Sequence, residues 1–397
     1  MYILYNPQGN TEGHSQQYAS NIVNGLISAG FFVNMVTSKD FDSSKIVDHT
    51  HFKAHYTPIE DTRSVKKDDR SLMGRFVYGF LILKNNFKSF RTLTKIRKKS
   101  EFSHLSIIGG DTLSNLMYLF FSFGLDKSKC SITIHNADYD LSLYQNDLVR
   151  YSFKLISKLF LKFLIKGRLV IFTHGEIMCK NLALQLTCPL DRIDFYRVPA
   201  VSYGVTKVGN RVMSAPVRLL FLGVVRFDKG FDILCSCLGQ LEPTIKFELI
   251  VAGSSAQVGD KYINDLIVQY NLESKTSLEL RYLTDLELEQ LIIGADITVL
   301  PYRKTFLAKS VVMSDTARLG TPAIATKESQ NGYDVDTFGV GWSFSSEDQG
   351  DLVRVLTLAI SDIFANNCDF GFSEYIDAHL PETVGIQIKS AMENSNA

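Results

Sequence analysis

Short, mostly apolar runs punctuate the chain, each ending in a glycine or a polar loop. They fall at residues 2–5, 31–36, 105–108, 131–134, 169–172 and 193–198, and again at 219–222, 247–252, 278–282, 297–300 and 322–325. Runs this short, without alternation, predict strands buried on both faces, and so a parallel sheet covered by helices. Apolar positions at helical spacing follow at 16–29, 113–123 and 149–168, and from Phe231. Thr284 opens a capping-box-like helix start, and 384–392 is a last helical stretch. Strand–helix alternation repeated in this way predicts two doubly wound α/β domains. Residues 40–70 are polar and aperiodic and predict loop with short elements. Pro, Gly, Ser and Asn mark 201–217 as a linker between a domain at 1–200 and one at 218–375.

Composition supports that division. The 397 residues, 45% hydrophobic, are enough for two separate cores. Net charge is zero, but residues 1–200 hold 26 Lys+Arg and 17 Asp+Glu, a surplus of 9 cations, and the remainder holds 16 and 25, a deficit of 9. The first half is therefore expected to face something anionic. Six cysteines show no C-x-x-C pair or zinc spacing and read as reduced, cytosolic, mostly core residues. The N-terminus lacks the pattern of a signal peptide. No apolar run approaches the ~18 residues of a spanning helix.

Two acid-free stretches carry the basic surplus. Residues 73–99 mix cations with aromatics. Residues 149–168 place Lys154, Lys158, Lys162 and Lys166 at intervals of four, a stripe along one helix. A lysine stripe beside wide apolar faces suits an anionic membrane surface; a solvated surface helix is the plainer alternative. No nucleic-acid motif is present, so no nucleic-acid partner is expected.

The densest chemistry lies in RLLFLGVVRFDKGFDIL, residues 218–234. A buried strand ends at Gly223, Arg226 and Lys229 follow in the turn, and a helix starts after Gly230. Helix-start N–H groups together with two cations make an anion site, and a diphosphate suits it. The same residues read equally well as a loop with two solvated cations.

Residues 223–234, GVVRFDKGFDIL, resemble the G-x-I-R-x-x-K-G-x-D-x-L segment of GT-B glycosyltransferases, in particular the GT4-like retaining group of bacterial surface-polysaccharide type. The resemblance extends over about residues 105–324 and is strongest there and in GADITVLPYRKTFLAKSVVMSDTARLGTPAIAT. It implies two Rossmann-like domains facing a cleft, with a C-terminal helix in 376–397 crossing back to the first domain. It implies that Arg226 and Lys229 hold the diphosphate of a UDP- or GDP-linked sugar. Gly223, Gly253 and the helix start at Ser310, Val311 and Val312 would line the donor phosphates. Asp315 would take the ribose hydroxyls, and Tyr282 and Leu283 the base. Two positions depart from the pattern: Val311 replaces a glycine, and Leu307 stands where the first acid of an E-x7-E pair would fall.

In the first half the resemblance points to His135, after the strand at 131–134, as a catalytic residue beside the transferred sugar. Gly9, Gly13 and His14 loosely match a loop over donor and acceptor. Asp111 ends a strand, where it reads as a ligand contact or a helix N-cap. His174 and Glu176 follow another strand end and read as cleft residues or as helix capping. The D-x-D pairs Asp138/Asp140 and Asp334/Asp336 read as chance, and no metal is expected. The reaction implied is retaining, metal-independent transfer of a sugar to a glycan or polyprenyl-diphosphate-linked acceptor, by a cytoplasmic protein peripheral on the inner face of the plasma membrane. No cofactor is expected beyond the donor substrate. The alternatives are a nucleotide-sugar epimerase of the same fold, and a degraded partner that binds a glycan or nucleotide without catalysis.

Overall fold

The computed structural model describes residues 1–6, 15–57, 72–99, 101–110, 112–200, 216–366 and 368–394. They form two units: residues 1–199 with 380–397, and residues 200–379. Most of the expected linker, 201–217, lies outside the described residues.

The first unit holds a seven-stranded parallel sheet: β1 (Tyr2–Asn6), β2 (Val33–Ser38), β3 (Phe52–Thr57), β4 (His104–Ile107), β5 (Cys130–Thr133), β6 (Val170–Thr173) and β7 (Ile193–Phe195). The strand order is β3-β2-β1-β4-β5-β6-β7. Its helices are α1 (Ser15–Ser28), α2 (Leu72–Lys99), α3 (Leu113–Phe121), α4 (Leu148–Lys166) and α5 (Glu176–Leu186). The apolar runs become strands because both faces are covered. Ile3, Tyr5, Ile107 and Ile132 pack under α2–α5, while Tyr2, Leu4, Val33 and Phe172 pack under α1. Residues 40–57 are loop with short elements, as expected, and one of these elements joins the sheet. This is β3, paired parallel with β2, Phe52 opposite Val33. As an edge strand it is only partly buried and carries Lys53 and His55, so no apolar run marks it.

The second unit holds β8 (Val217–Leu222), β9 (Phe247–Ala252), β10 (Thr276–Glu279), β11 (Ile297–Leu300), β12 (Ala323–Thr326) and β13 (Gly341–Phe344), in the order β10-β9-β8-β11-β12-β13. Its helices are α6 (Phe231–Leu238), α7 (Asp260–Gln269), α8 (Asp285–Gly294), α9 (Val311–Arg318), α10 (Gln330–Phe338), α11 (Gln349–Phe364) and α12 (Phe372–His379). Leu219, Phe221, Leu249, Val251, Ile297 and Val299 build its core with α6 and α11. The last helix, α13 (Pro381–Asn394), belongs to the first unit. Val384, Ile388 and Met392 share a cluster with Ile22, Val23 and Leu26 of α1.

The strand order of each sheet reverses once, between β1 and β4 and between β8 and β11. In open parallel sheets, ligands bind beyond the carboxyl ends of the strands at such reversals.

Candidate functional site

The turn after β8 lies at the reversal of the six-stranded sheet. β8 enters it with residues 219–222 buried, and Gly223 follows with φ +103, a conformation that side chains disfavour. A Cβ built on Gly223 would lie 2.8 Å from Lys229 Nζ and 3.7 Å from Val312 Cγ2. That single position therefore brings together the ammonium of Lys229 and the first turn of α9. Gly253, at the end of β9, packs its backbone on that of Gly223, where an added Cβ would meet the Gly223 carbonyl oxygen at 2.3 Å.

Lys229 is 8% exposed. Its ammonium lies 5.4 Å from the centroid of the Tyr302 ring, a cation–π contact. Among the described residues it has no carboxylate or carbonyl partner. A lysine this deeply set, with no anion beside its ammonium, favours a ligand that supplies one. Arg226 is placed differently. Its guanidinium is held bidentately by Asp228, with Nε donating at 3.0 Å and Nη2 at 2.8 Å, and lies 5.8 Å from the Phe306 ring. The turn is fixed from outside. Arg303 donates to both oxygens of Asp232, at 3.0 and 2.6 Å, and to the Phe227 carbonyl, and its guanidinium stacks on the Phe227 ring. The Arg303 amide donates to the Asp228 carbonyl at 2.9 Å.

The opposite wall is the start of α9. Among the described residues no side chain caps this helix; the Ser310 hydroxyl bonds the Tyr302 hydroxyl at 3.2 Å instead. The Ser310 amide donates to Asn331 Oδ1 at 3.0 Å. The N–H groups of the first turn and the positive end of the helix dipole remain for an anion. The preceding loop is anchored by Lys309, whose side chain is 1% exposed and is paired with Asp334, also 1% exposed. Gln330 donates to the other oxygen of Asp334 at 2.7 Å. That accounts for the first acid of the second D-x-D; Asp336 is exposed.

The remaining donor candidates lie around this pair of walls. Asp315 accepts from Arg318 Nε at 3.1 Å, and Arg318 also donates to Glu289 at 2.7 Å. Leu307 is half-buried. Tyr282 is exposed, whereas Leu283 is buried against Leu222 and Ala252, so its side chain is core.

In the first unit a second cluster closes the carboxyl ends of β5, β6 and β7. His135 Nε2 lies 2.8 Å from the Ile108 carbonyl, which can only accept, so Nε2 carries the proton. Its Nδ1 lies 2.9 Å from His174 Nε2. In the neutral ring, Nδ1 accepts from His174. Tyr18 sets its ring edge-on to both histidines, at 5.4 and 5.6 Å, and shares a hydrogen bond with Tyr196, which bonds Thr133 at 2.8 Å. Burial pushes the Tyr196 phenol up to about 12 and the Tyr18 phenol well above its ordinary value, so both stay protonated. Both ring nitrogens of His135 are thus engaged by the protein. Glu176 does not cap α5 through its side chain; it accepts from Arg197 at 2.9 Å. Gly9, Gly13, His14 and Asp111 lie outside the described residues. Tyr18, Tyr196, Asp228 and Tyr302 carry no motif. Only the position of Tyr302, directly after the strand end at Pro301, could have marked it from sequence.

The lysine stripe of α4 runs opposite to the expectation that it faces lipid. Lys154 pairs with Asp138 and lies 4.8 Å from the Tyr139 ring, Lys158 donates to the Tyr139 carbonyl at 3.1 Å, and Lys162 donates to Thr187 at 2.7 Å. These contacts turn three of the four ammonium groups onto the protein; Lys166 is exposed. They also consume Asp138, while Asp140 caps the short turn at 141–144.

Across nearly its full length the chain superposes on solved two-domain glycosyltransferases. Sucrose-phosphate synthase from Thermosynechococcus elongatus matches with a TM-score of 0.68 at 13% identity, over 99% of this chain and 98% of that one. The fold is GT-B. WaaG, a glycosyltransferase involved in lipopolysaccharide biosynthesis, matches with a TM-score of 0.62 at 13% identity over 98% of each chain. The HepE protein of Anabaena in complex with UDP matches with a TM-score of 0.61 at 12% identity over 99% of each. No protein-family model and no curated protein sequence matches the chain. At these identities the likeness establishes the GT-B architecture; chemistry has to come from the side chains. Among the described residues, no helix is long and apolar enough to cross a membrane.

Proposed function

We propose that this chain is a glycosyltransferase that uses a nucleoside-diphosphate sugar, UDP- or GDP-linked. One observation carries the reading: Lys229, buried without an anionic partner, and the uncapped start of α9 meet over Gly223 at the sheet reversal. The GT-B fold and the UDP-bound HepE, which shares it, point the same way. Sugar transfer builds negative charge on the departing diphosphate. Lys229, the α9 amides and Arg226, once released from Asp228, neutralise it without a metal ion. Transfer proceeds with retention, as in the group the sequence resembles. His135 is the first-unit candidate for contact with the transferred sugar. To bond a sugar hydroxyl, it has to exchange its bond to Ile108 or to His174. Asp315 takes the ribose once it parts from Arg318.

The acceptor is a glycan or a polyprenyl-diphosphate-linked glycan of surface-polysaccharide type. The protein works at the inner face of the plasma membrane, consistent with its basic first half. Titration calorimetry with UDP and GDP tests the donor site, and release of nucleoside diphosphate across a panel of donors tests turnover. Binding of neither nucleotide would sink the proposal. Activity lost in EDTA and restored by Mn²⁺ would overturn its metal-free part.

A further inference from the structure

With Lys154, Lys158 and Lys162 of α4 turned onto the protein, large apolar side chains are left on its outward face. Phe153, Ile156, Leu159 and Phe163 are exposed on α4, and Phe121 and Phe123 are exposed at the end of α3. They form one surface, because the Phe120 ring touches Phe121, Phe160 and Phe163 at 4.8–4.9 Å between centroids. Phe163 is 60% exposed and Phe123 is 87% exposed. A contiguous exposed patch of large side chains marks a docking surface.

Cations rim this patch. Lys127 donates to the Ser122 carbonyl, between the two exposed phenylalanines, and its side chain approaches Gly167 at the end of α4. Lys129, Lys166 and Arg168 are exposed close by, with Asp126 among them. The neighbouring α2 exposes Lys84, Arg91, Lys95, Lys98 and Lys99, and residues 72–99 contain no acid. Thr94 and Phe90 of α2 meet Tyr118 of α3, which fixes the two helices side by side. An apolar face bordered by cations matches the interface of an anionic bilayer, with hydrocarbon below and phosphate at its edge. A second copy of the chain suits it poorly. A two-fold contact there would set this cationic rim against itself.

We infer that the chain docks on anionic lipid through the apolar face of α3 and α4, inserting Phe121, Phe123, Leu159 and Phe163, while Lys129, Lys166 and Arg168 hold headgroups. This deepens the membrane part of the proposed function. Vesicle binding needs neither donor nor turnover, so it stands or falls separately from the chemistry.

The test is co-sedimentation with phosphatidylcholine vesicles, with and without a minority of phosphatidylglycerol. The wild type sediments with the anionic vesicles and hardly with the neutral ones. Leu159→Gln with Phe163→Gln lowers binding at least about tenfold, because insertion scales with apolar area. Lys129→Glu with Lys166→Glu lowers it comparably. Both pairs are exposed, so thermal unfolding should be unchanged; Phe123→Gln, in a turn, serves if the first pair unfolds. The inference is overturned by any of three results. These are equal sedimentation with neutral and anionic vesicles, unaltered binding by the glutamine variants, or a wild-type dimer that the glutamine variants convert to monomer.

Discussion

Lys229 and Lys309 are two buried lysines in the loops of the same sheet, and they differ in one respect. Lys309 sits against Asp334, with Gln330 completing the carboxylate and the Tyr375 ring beneath the ammonium. Burial alone would lower its pKa, but Asp334 and Tyr375 outweigh that and raise it, so it remains charged. Lys229 has an aromatic face and an uncapped helix end, and among the described residues no anion. A buried charge with its partner supplied by the fold is architecture. A buried charge whose partner must arrive from solution is a binding site.

The sharpest way to break the comparison is to remove one member of each. Asp334→Ala leaves an ammonium stranded in the interior and should cost about 3–5 kcal/mol of stability, read by chemical denaturation. Lys229→Met should leave stability unchanged or raised, since it deletes an unpaired charge, yet weaken UDP or GDP binding about 100-fold by calorimetry, the value of a strong charge-assisted contact. If Lys229→Met unfolds the protein as readily as Asp334→Ala, the two lysines do the same job and the distinction fails.

Arg226 lies between the extremes, because its partner is present but replaceable. Asp228 stands where an incoming phosphate would sit on the guanidinium fork. The pair is partly exposed, about one-third for each side chain, so its strength is that of a surface salt bridge. Asp228→Asn should therefore tighten nucleoside diphosphate binding by up to about fivefold, measured by the same titration. Weaker binding would mean that Asp228 positions Arg226 for the ligand rather than competing with it.

The sequence reveals those features that depend on neighbours in the chain. β8 and β11 are readable because strands buried on both faces leave unbroken apolar runs. Arg226 and Lys229 are readable because a strand end, a glycine and a helix start are contiguous. β3 is hidden because an edge strand needs no apolar run, and β13 because it opens on Gly341 and is only partly buried. The period-four lysines of α4 show that they share a face, but not which way it turns. That direction is set by Asp138, the Tyr139 carbonyl and Thr187, from other parts of the chain. Likewise the engagement of His135 depends on His174, 39 residues on. Pairings across such separations belong to the packed structure, and they decide which polar groups are left for a ligand.

The smallest effect comes from a charge satisfied at the surface, at the start of α8. Thr284 and Glu287 form a capping box, and Arg281 donates to Glu287 at 2.8 Å. Arg281 first, then the Thr284 amide and hydroxyl, hold the Glu287 carboxyl at about 2, below its ordinary 4.5. A depressed carboxyl stabilises the fold above its unfolded pKa and loses that contribution as pH falls through the folded value. Glu287→Gln should therefore lower the thermal midpoint slightly at neutral pH, and the gap to wild type should close as pH drops from about 4.5 toward 2. Donor binding, which depends on Lys229 and the start of α9, should be the same in both proteins at neutral pH. A constant gap across that range would show that the cap works through geometry rather than charge. A change in nucleotide affinity would tie this surface helix to the site and blur the line between the two kinds of charge.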